Sequence, residues 1–171
     1  MRIRPFKACD QPIAAGWIPD ARQFSMWSAD LLRYPLDAAQ LEALRLEYEA
    51  MENGWLFTAL DAAGRPIGMF MMRNADYEKN SVHMGFILVD PARRGQGFGK
   101  AMVRLAARYA FEMLGAERLT LRVMDSNEPA HRCYLGLGFF DETHEERCFT
   151  HGDEIWGWFH MALTPDRLRL K

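Results

Sequence analysis

Cysteine is scarce in this chain of 171 residues: Cys9, Cys133 and Cys148 stand far apart, with no Cys-x-x-Cys spacing. An odd number without paired spacing excludes a disulfide framework or a zinc ribbon, and reads as reduced thiols. Long hydrophobic runs are missing too. No segment reaches the roughly 18 apolar residues that a membrane helix requires, and the opening Met-Arg-Ile-Arg-Pro-Phe-Lys has no signal-peptide core. The expectation is a cytoplasmic protein with no membrane partner. Excess charge of one sign is also absent. Lys and Arg number 21 against 23 Asp and Glu, a net charge of −2, and this excludes the basic face that nucleic-acid binding leaves in a sequence. The histidines His83, His131, His144, His151 and His160 never fall at a helical ligand spacing, so no metal is expected. Repeats, low-complexity tracts and Gly/Ser linkers are lacking as well, and residues 1–171 read as one domain.

What is present is an ordinary globular balance, 49% apolar and 26% charged, long enough to bury a real core. Residues 3–6 predict a short strand and residues 10–51 a helical region. The best-defined helix starts at Asp37, an N-cap with Gln40 three residues on, and Leu41, Leu44, Tyr48 and Met51 then recur at helical spacing. Residues 55–60 and 67–72 predict a hairpin, and 82–89 a further strand stopped by Asp90-Pro91. Residues 98–114 have the 3.6 period, with Met102, Leu105, Ala106, Tyr109 and Met113 on one face and Gly115 as the stop. A strand at 119–123, a short helix at 129–137 closed by Gly138, and strands at 139–148 and 155–163 complete the chain. The order β-αα-βββ-α-β-α-ββ describes an α/β domain with a mixed sheet. Met69, Met71 and Met72 read as core or pocket lining.

The most informative segment runs Val89-Asp90-Pro91-Ala92-Arg93-Arg94-Gly95-Gln96-Gly97-Phe98-Gly99-Lys100. Glycine at alternate positions removes every Cβ from one side of a strand-to-helix turn, so an anion can approach the backbone. The first helical amides lack intrahelical partners and carry the positive end of the macrodipole, which makes a phosphate cradle. Arg93 and Arg94 agree with a small anionic ligand. A P-loop is excluded, because Ala101 follows Lys100. A dinucleotide fingerprint is excluded because Lys100 or Met102 stands where its last glycine belongs.

Arg94-Gly95-Gln96-Gly97-Phe98-Gly99 resembles the Q/R-x-x-G-x-G/A signature of the GNAT superfamily of acetyltransferases. Asn127, Ala130, Tyr134, Gly138 and Phe139 resemble that family's second motif, in register with the first. The resemblance implies a GNAT fold, with a mixed and mostly antiparallel central sheet of about seven strands flanked by about four helices. It also implies acetyl-CoA as cofactor. The backbone of Ile87, Leu88 and Val89 would pair with the pantetheine arm. The amides from Gly95 to Lys100 would hold the pyrophosphate, Asn127 would bond the arm, and Tyr134 would stand at the coenzyme A sulfur.

Acetyl transfer to an amine needs a neutral nucleophile, a polarised carbonyl and a stabilised leaving thiolate. Tyr134, two helical turns after Asn127, suits the last task. For the base, one branch of the family has a glutamate five residues before the Asn, where this chain has Arg122. Another has a glutamate eleven residues before the loop signature, where this chain has His83. An imidazole accepts protons at neutral pH, and strand alternation places His83, Gly85, Ile87 and Val89 on one face. A structural histidine is the competing reading. On the acceptor side stand Trp17, Trp27, Tyr34 and Pro35, together with Asp141, Glu142, Glu145, Glu146, Asp153 and Glu154. Those carboxylates either attract a cationic amine or form a solvated hairpin tip. The expected acceptor is a small-molecule or peptide amine, and the expected state a monomer or homodimer. An acetyl-CoA-binding sensor without turnover is the alternative.

Overall fold

The computed structural model describes residues 1–169. The strands are β1 (Arg2–Pro5), β2 (Trp55–Leu60), β3 (Pro66–Asp76), β4 (Ser81–Val89), β5 (Arg118–Met124), β6 (Phe140–His151) and β7 (Glu154–Leu163). They form one seven-stranded sheet in the order β1-β2-β3-β4-β5-β7-β6. Every neighbouring pair is antiparallel except β4 and β5, which run parallel. The helices are α1 (Gln11–Ala14), α2 (Ala21–Ser28), α3 (Ala38–Ala50), α4 (Phe98–Glu112) and α5 (Glu128–Leu135). None among the described residues is long and apolar enough to cross a membrane.

Each face of the sheet has its own core. On one side α4 lays down Met102, Val103, Ala106, Ala107 and Ala110 against Val82, Met84, Leu119 and Leu121. Three alanines let the helix axis approach the strands closely, so the apolar stripe is buried without voids. On the other side Ala14, Phe24, Leu41, Leu44 and Tyr48 of α1–α3 cover Leu56, Met69, Met71, Phe86 and Leu88. Met72 belongs to the first core and Met69 and Met71 to the second, so the methionines fill both faces of β3.

Two expectations need correction. The region 10–51 is not one helical run. Asp20 caps α2, its carboxylate accepting from the Gln23 N–H at 2.8 Å. The chain then leaves helix at Ala29 and Asp30, both with positive φ (51° and 56°). Five α-helices are present among the described residues, where about four were expected. Asp37 does cap α3, accepting from the Gln40 N–H at 2.8 Å. The Gln40 side chain, however, does not return to the cap. Its Nε2 donates to the Pro35 carbonyl at 2.9 Å and its Oε1 accepts from the Arg33 N–H at 2.8 Å, which pins the preceding loop instead.

The feature that positions the site is a bulge in β4. Met69 pairs with Leu88 and Met71 with Gly85, so Phe86 and Ile87 together oppose Phe70. Phe86 takes a positive φ of 46°, and the extra residue both bends the strand and shifts its alternation. Before the bulge Val82 and Met84 point to the α4 side. After it Phe86 and Leu88 point to the opposite core, and Ile87 and Val89 turn toward α4. Pairing of β4 with β5 stops at the same place, running only from Ser81↔Arg118 to Met84↔Leu121. Beyond it β5 continues alongside β7 alone, and the two parallel strands splay apart.

Candidate active site

The loop after β4 is built to present amides. Asp90 Oδ1 accepts from the Ala92 N–H at 2.9 Å and starts a tight turn at Pro91–Arg93. Gly95 and Gly97 then take positive φ values of 73° and 82°, and a Cβ added at either would meet nothing within 4 Å. Glycine is required there by backbone conformation, not by crowding. Helix α4 begins at Phe98, and the first of its amides to find a carbonyl is that of Ala101, which donates to Gly97 O at 3.0 Å. Among the described residues no backbone carbonyl accepts from the amides of Gly95, Gln96, Gly97, Phe98, Gly99 or Lys100. These amides at a helix N-terminus are left free of backbone partners, the condition that an anion cradle requires.

The cradle opens into a cleft of about 620 Å³ between the splayed strands. One wall is Gly85–Val89, whose edge toward β5 has no strand partner. The other is Val123 with Asn127, Pro129, Ala130, Cys133 and Tyr134 at the start of α5, and α2 closes the mouth with Gln23, Met26 and Trp27. Asn127 is the N-cap of α5, its Oδ1 accepting from the Ala130 N–H at 3.4 Å. Tyr134 is buried and tilted against Phe139 at 5.8 Å. Burial raises its pKa, so the phenol keeps its proton throughout the working range. Burial likewise raises the Cys133 thiol, which therefore is no thiolate nucleophile.

Arg94 lies at the cleft but is occupied. Its Nε donates to Val89 O at 3.2 Å, Nη1 to Gln23 Oε1 at 2.7 Å and Nη2 to Trp17 O at 3.1 Å. The side chain straps the glycine loop to α2. Gln96 likewise closes the loop on itself, donating to Ala92 O at 2.9 Å.

Comparison with known proteins agrees with this geometry. Residues 22–139, well over half of the chain, match the model of the Acetyltransferase (GNAT) family. The chain belongs to the GNAT family. It is similar to the SPbeta prophage-derived uncharacterized N-acetyltransferase YokL of Bacillus subtilis, at 26% identity over 113 residues, 66% of this chain and 63% of the relative. It is also similar to the spermidine N(1)-acetyltransferase of Vibrio cholerae, at 29% identity over 97 residues, 56% of each chain. The match thus spans less than two thirds of the length of either relative. Among solved structures, spermidine N-acetyltransferase from Vibrio cholerae in complex with CoA and spermine superposes with a TM-score of 0.83 at 20% identity, covering 97% of this chain and 96% of that one. The fold is the GNAT fold.

Within this GNAT chain the bulge corrects one expectation. His83 and Gly85 do not share a face with Ile87 and Val89, because the extra residue at Phe86 reverses the alternation between them. His83 lines a neighbouring depression rather than the cleft. Its Nδ1 lies 3.1 Å from Thr120 Oγ1. Burial, then the nearby Arg73, Arg122 and His160, push its pKa down to about 4, so the imidazole is neutral at neutral pH. Four of the six carboxylates of the acidic hairpin have partners, three of them outside it. Asp141 pairs with His131 at 2.8 Å, Glu142 with Arg118, Glu145 with His160 at 3.2 Å and Glu154 with Arg22 at 2.7 Å. Met26 and Phe86 line the cleft without having been singled out in the sequence, and Trp27, expected on the acceptor side, lines it too. The Trp27 indole N–H is buried with no acceptor. Nothing in the residue types around Phe86 announces a left-handed backbone.

Proposed function

We propose that this protein is an acetyl-CoA-dependent N-acetyltransferase that acts on a primary amine by direct attack in a ternary complex. The observation that carries the reading is the cleft between β4 and β5, with an amide cradle at one end and a buried phenol at the other. Bound acetyl-CoA supplies an activated thioester. The amides from Gly95 to Lys100 hold its pyrophosphate, and the unpaired edge of Ile87, Leu88 and Val89 takes its amide-bearing arm as an added strand. Asn127 orients that arm from the cap of α5. Tyr134 donates its phenolic hydrogen to the leaving sulfur, a role suited to a group that burial keeps protonated. Arg94 acts on the loop, holding it against α2.

The amine must lose a proton. His83, unprotonated at neutral pH, lines the neighbouring depression rather than the cleft, so the proton leaves the amine through water, past His83, to solvent. The acceptor is a small-molecule amine, as the name of the spermidine enzyme of Vibrio cholerae indicates for that relative. The cytoplasm, with its acetyl-CoA and reduced thiols, is the setting, and a monomer or homodimer the state.

Calorimetric titration with acetyl-CoA, followed by a thiol-release screen over amines, tests the reading. Binding with release on one amine class is expected. Binding without release on any amine points instead to an acetyl-CoA-binding module, and no binding overturns the cleft assignment.

A further inference from the structure

Beside the cleft lies a second depression of about 470 Å³, and Arg122 borders both. Strand register builds it from residues distant in sequence. Arg73 is opposite His83, His83 is opposite Thr120, and in the next row Arg122 is opposite His160. Their neighbours Val82, Leu119, Leu121 and Met161 point into the α4 core. Alternation therefore sends Arg73, His83, Thr120, Arg122 and His160 to the opposite face.

The charges on this face do not balance. Arg122 lies over the Trp158 ring at 5.8 Å and has no ion pair among the described residues. Arg73 has no carboxylate partner there either. Its neighbour is the Tyr48 hydroxyl, and its Nε is buried without a hydrogen bond. Glu142 is paired with Arg118, and Glu145, 3.2 Å from His160, makes no ion pair with either Arg73 or Arg122 among the described residues. Two arginines without counter-ions among the described residues line one concavity together with Thr120. A cationic ligand is repelled there, whereas a carboxylate satisfies the guanidinium forks.

We propose that this depression holds a carboxylate of the acceptor, so that the substrate is a small amine that is also an acid. This rests on the acetyltransferase reading. His83 lines the depression and Gly85 the cleft. They stand two residues apart on one strand, about 7 Å, a separation that an amino acid spans between its carboxylate and a side-chain amine.

The test is binding, which does not depend on turnover. With coenzyme A present, matched pairs that differ only by a carboxylate are titrated calorimetrically: lysine against cadaverine, and ornithine against putrescine. The acid of each pair is expected to bind at least about tenfold more tightly, the scale of one charge-assisted hydrogen bond. Arg73→Met should erase most of that preference while coenzyme A affinity stays unchanged, and Arg122→Met, which also borders the cleft, should erase it in samples kept saturated with coenzyme A. Should the half-buried Arg73→Met fail to fold, the exposed Arg122→Met decides alone. Tighter binding of the diamine, no binding of either member, or an undiminished preference in Arg122→Met overturns the inference. The coenzyme A titration in the same samples reports separately on the acetyltransferase reading, which stands if only the carboxylate preference fails.

Discussion

The cleft and the depression beside it are built by opposite means. The cleft is a backbone site, with its amides from Gly95 to Lys100 and the unpaired edge of β4, and its glycines only keep side chains out of the way. The depression is a side-chain site, assembled where Arg73, His83, Thr120, Arg122 and His160 come into register across four strands. A backbone site recognises what every reaction in the family shares. A side-chain site changes with single substitutions, and that suits the part of an enzyme that selects its acceptor.

The contrast breaks most readily at Gly97. Gly97→Val puts a β-branched residue at a φ of 82°, a conformation that costs on the order of 1–3 kcal/mol, and sets its methyls in the cradle. Acetyl-CoA binding should fall below detection by calorimetry while circular dichroism shows an intact fold. Normal affinity in the folded variant would mean that the amides are not the recognition element.

Tyr134→Phe comes next. Removing the buried hydroxyl should lower kcat by about 10²-fold, within the usual range for acid–base groups, and leave the KM for acetyl-CoA nearly unchanged. Equal losses in kcat and cofactor affinity would reassign Tyr134 to packing beside Phe139.

The same contrast explains what was legible in the sequence. Glycines at positive φ and an N-terminal helix turn are local necessities, and they stand in the order of residues 89–100. The buried stripe of α4 was legible only in part: Met102 and Ala106 are buried as expected, Leu105 and Tyr109 are half-buried and Met113 is exposed, while Val103, Ala107 and Ala110 complete the face against the sheet. The bulge is not, because Phe86 adopts its left-handed φ of 46° under tertiary packing that no neighbour in sequence discloses. Missing it put His83 on the face of Ile87 and Val89. The acidic hairpin left two readings open for a related reason. Four of its six carboxylates have partners in Arg22, Arg118, His131 and His160, from four separate elements, and only the sheet order brings these together.

A smaller effect sharpens the picture of Arg94. Arg94→Met leaves the cradle amides in place but removes the strap to Gln23 and Trp17. It should weaken acetyl-CoA binding by roughly tenfold, the scale of a lost charged hydrogen bond, with kcat at saturation little changed. A collapse of kcat alone would contradict a purely positioning role.

The smallest effect is on stability. The folded pKa of His83, about 4, lies below the ordinary imidazole value near 6.5. As pH falls through that window the unfolded imidazole takes a proton that the folded one refuses, so stability declines. Denaturant titrations from neutral pH down to about 4 should show this decline in the wild type and a shallower one in His83→Gln. A His83 resonance titrating at its ordinary value would show that the imidazole is neither buried nor set beside Arg73 and Arg122.

The most direct measurement is calorimetric titration of acetyl-CoA into the wild-type protein and Gly97→Val side by side. A single saturable site in the wild type, lost in the folded variant, is the result that follows from a cleft whose recognition lies in the backbone amides of the glycine loop. No heat of binding in the wild type, or equal affinity in both proteins, would contradict it.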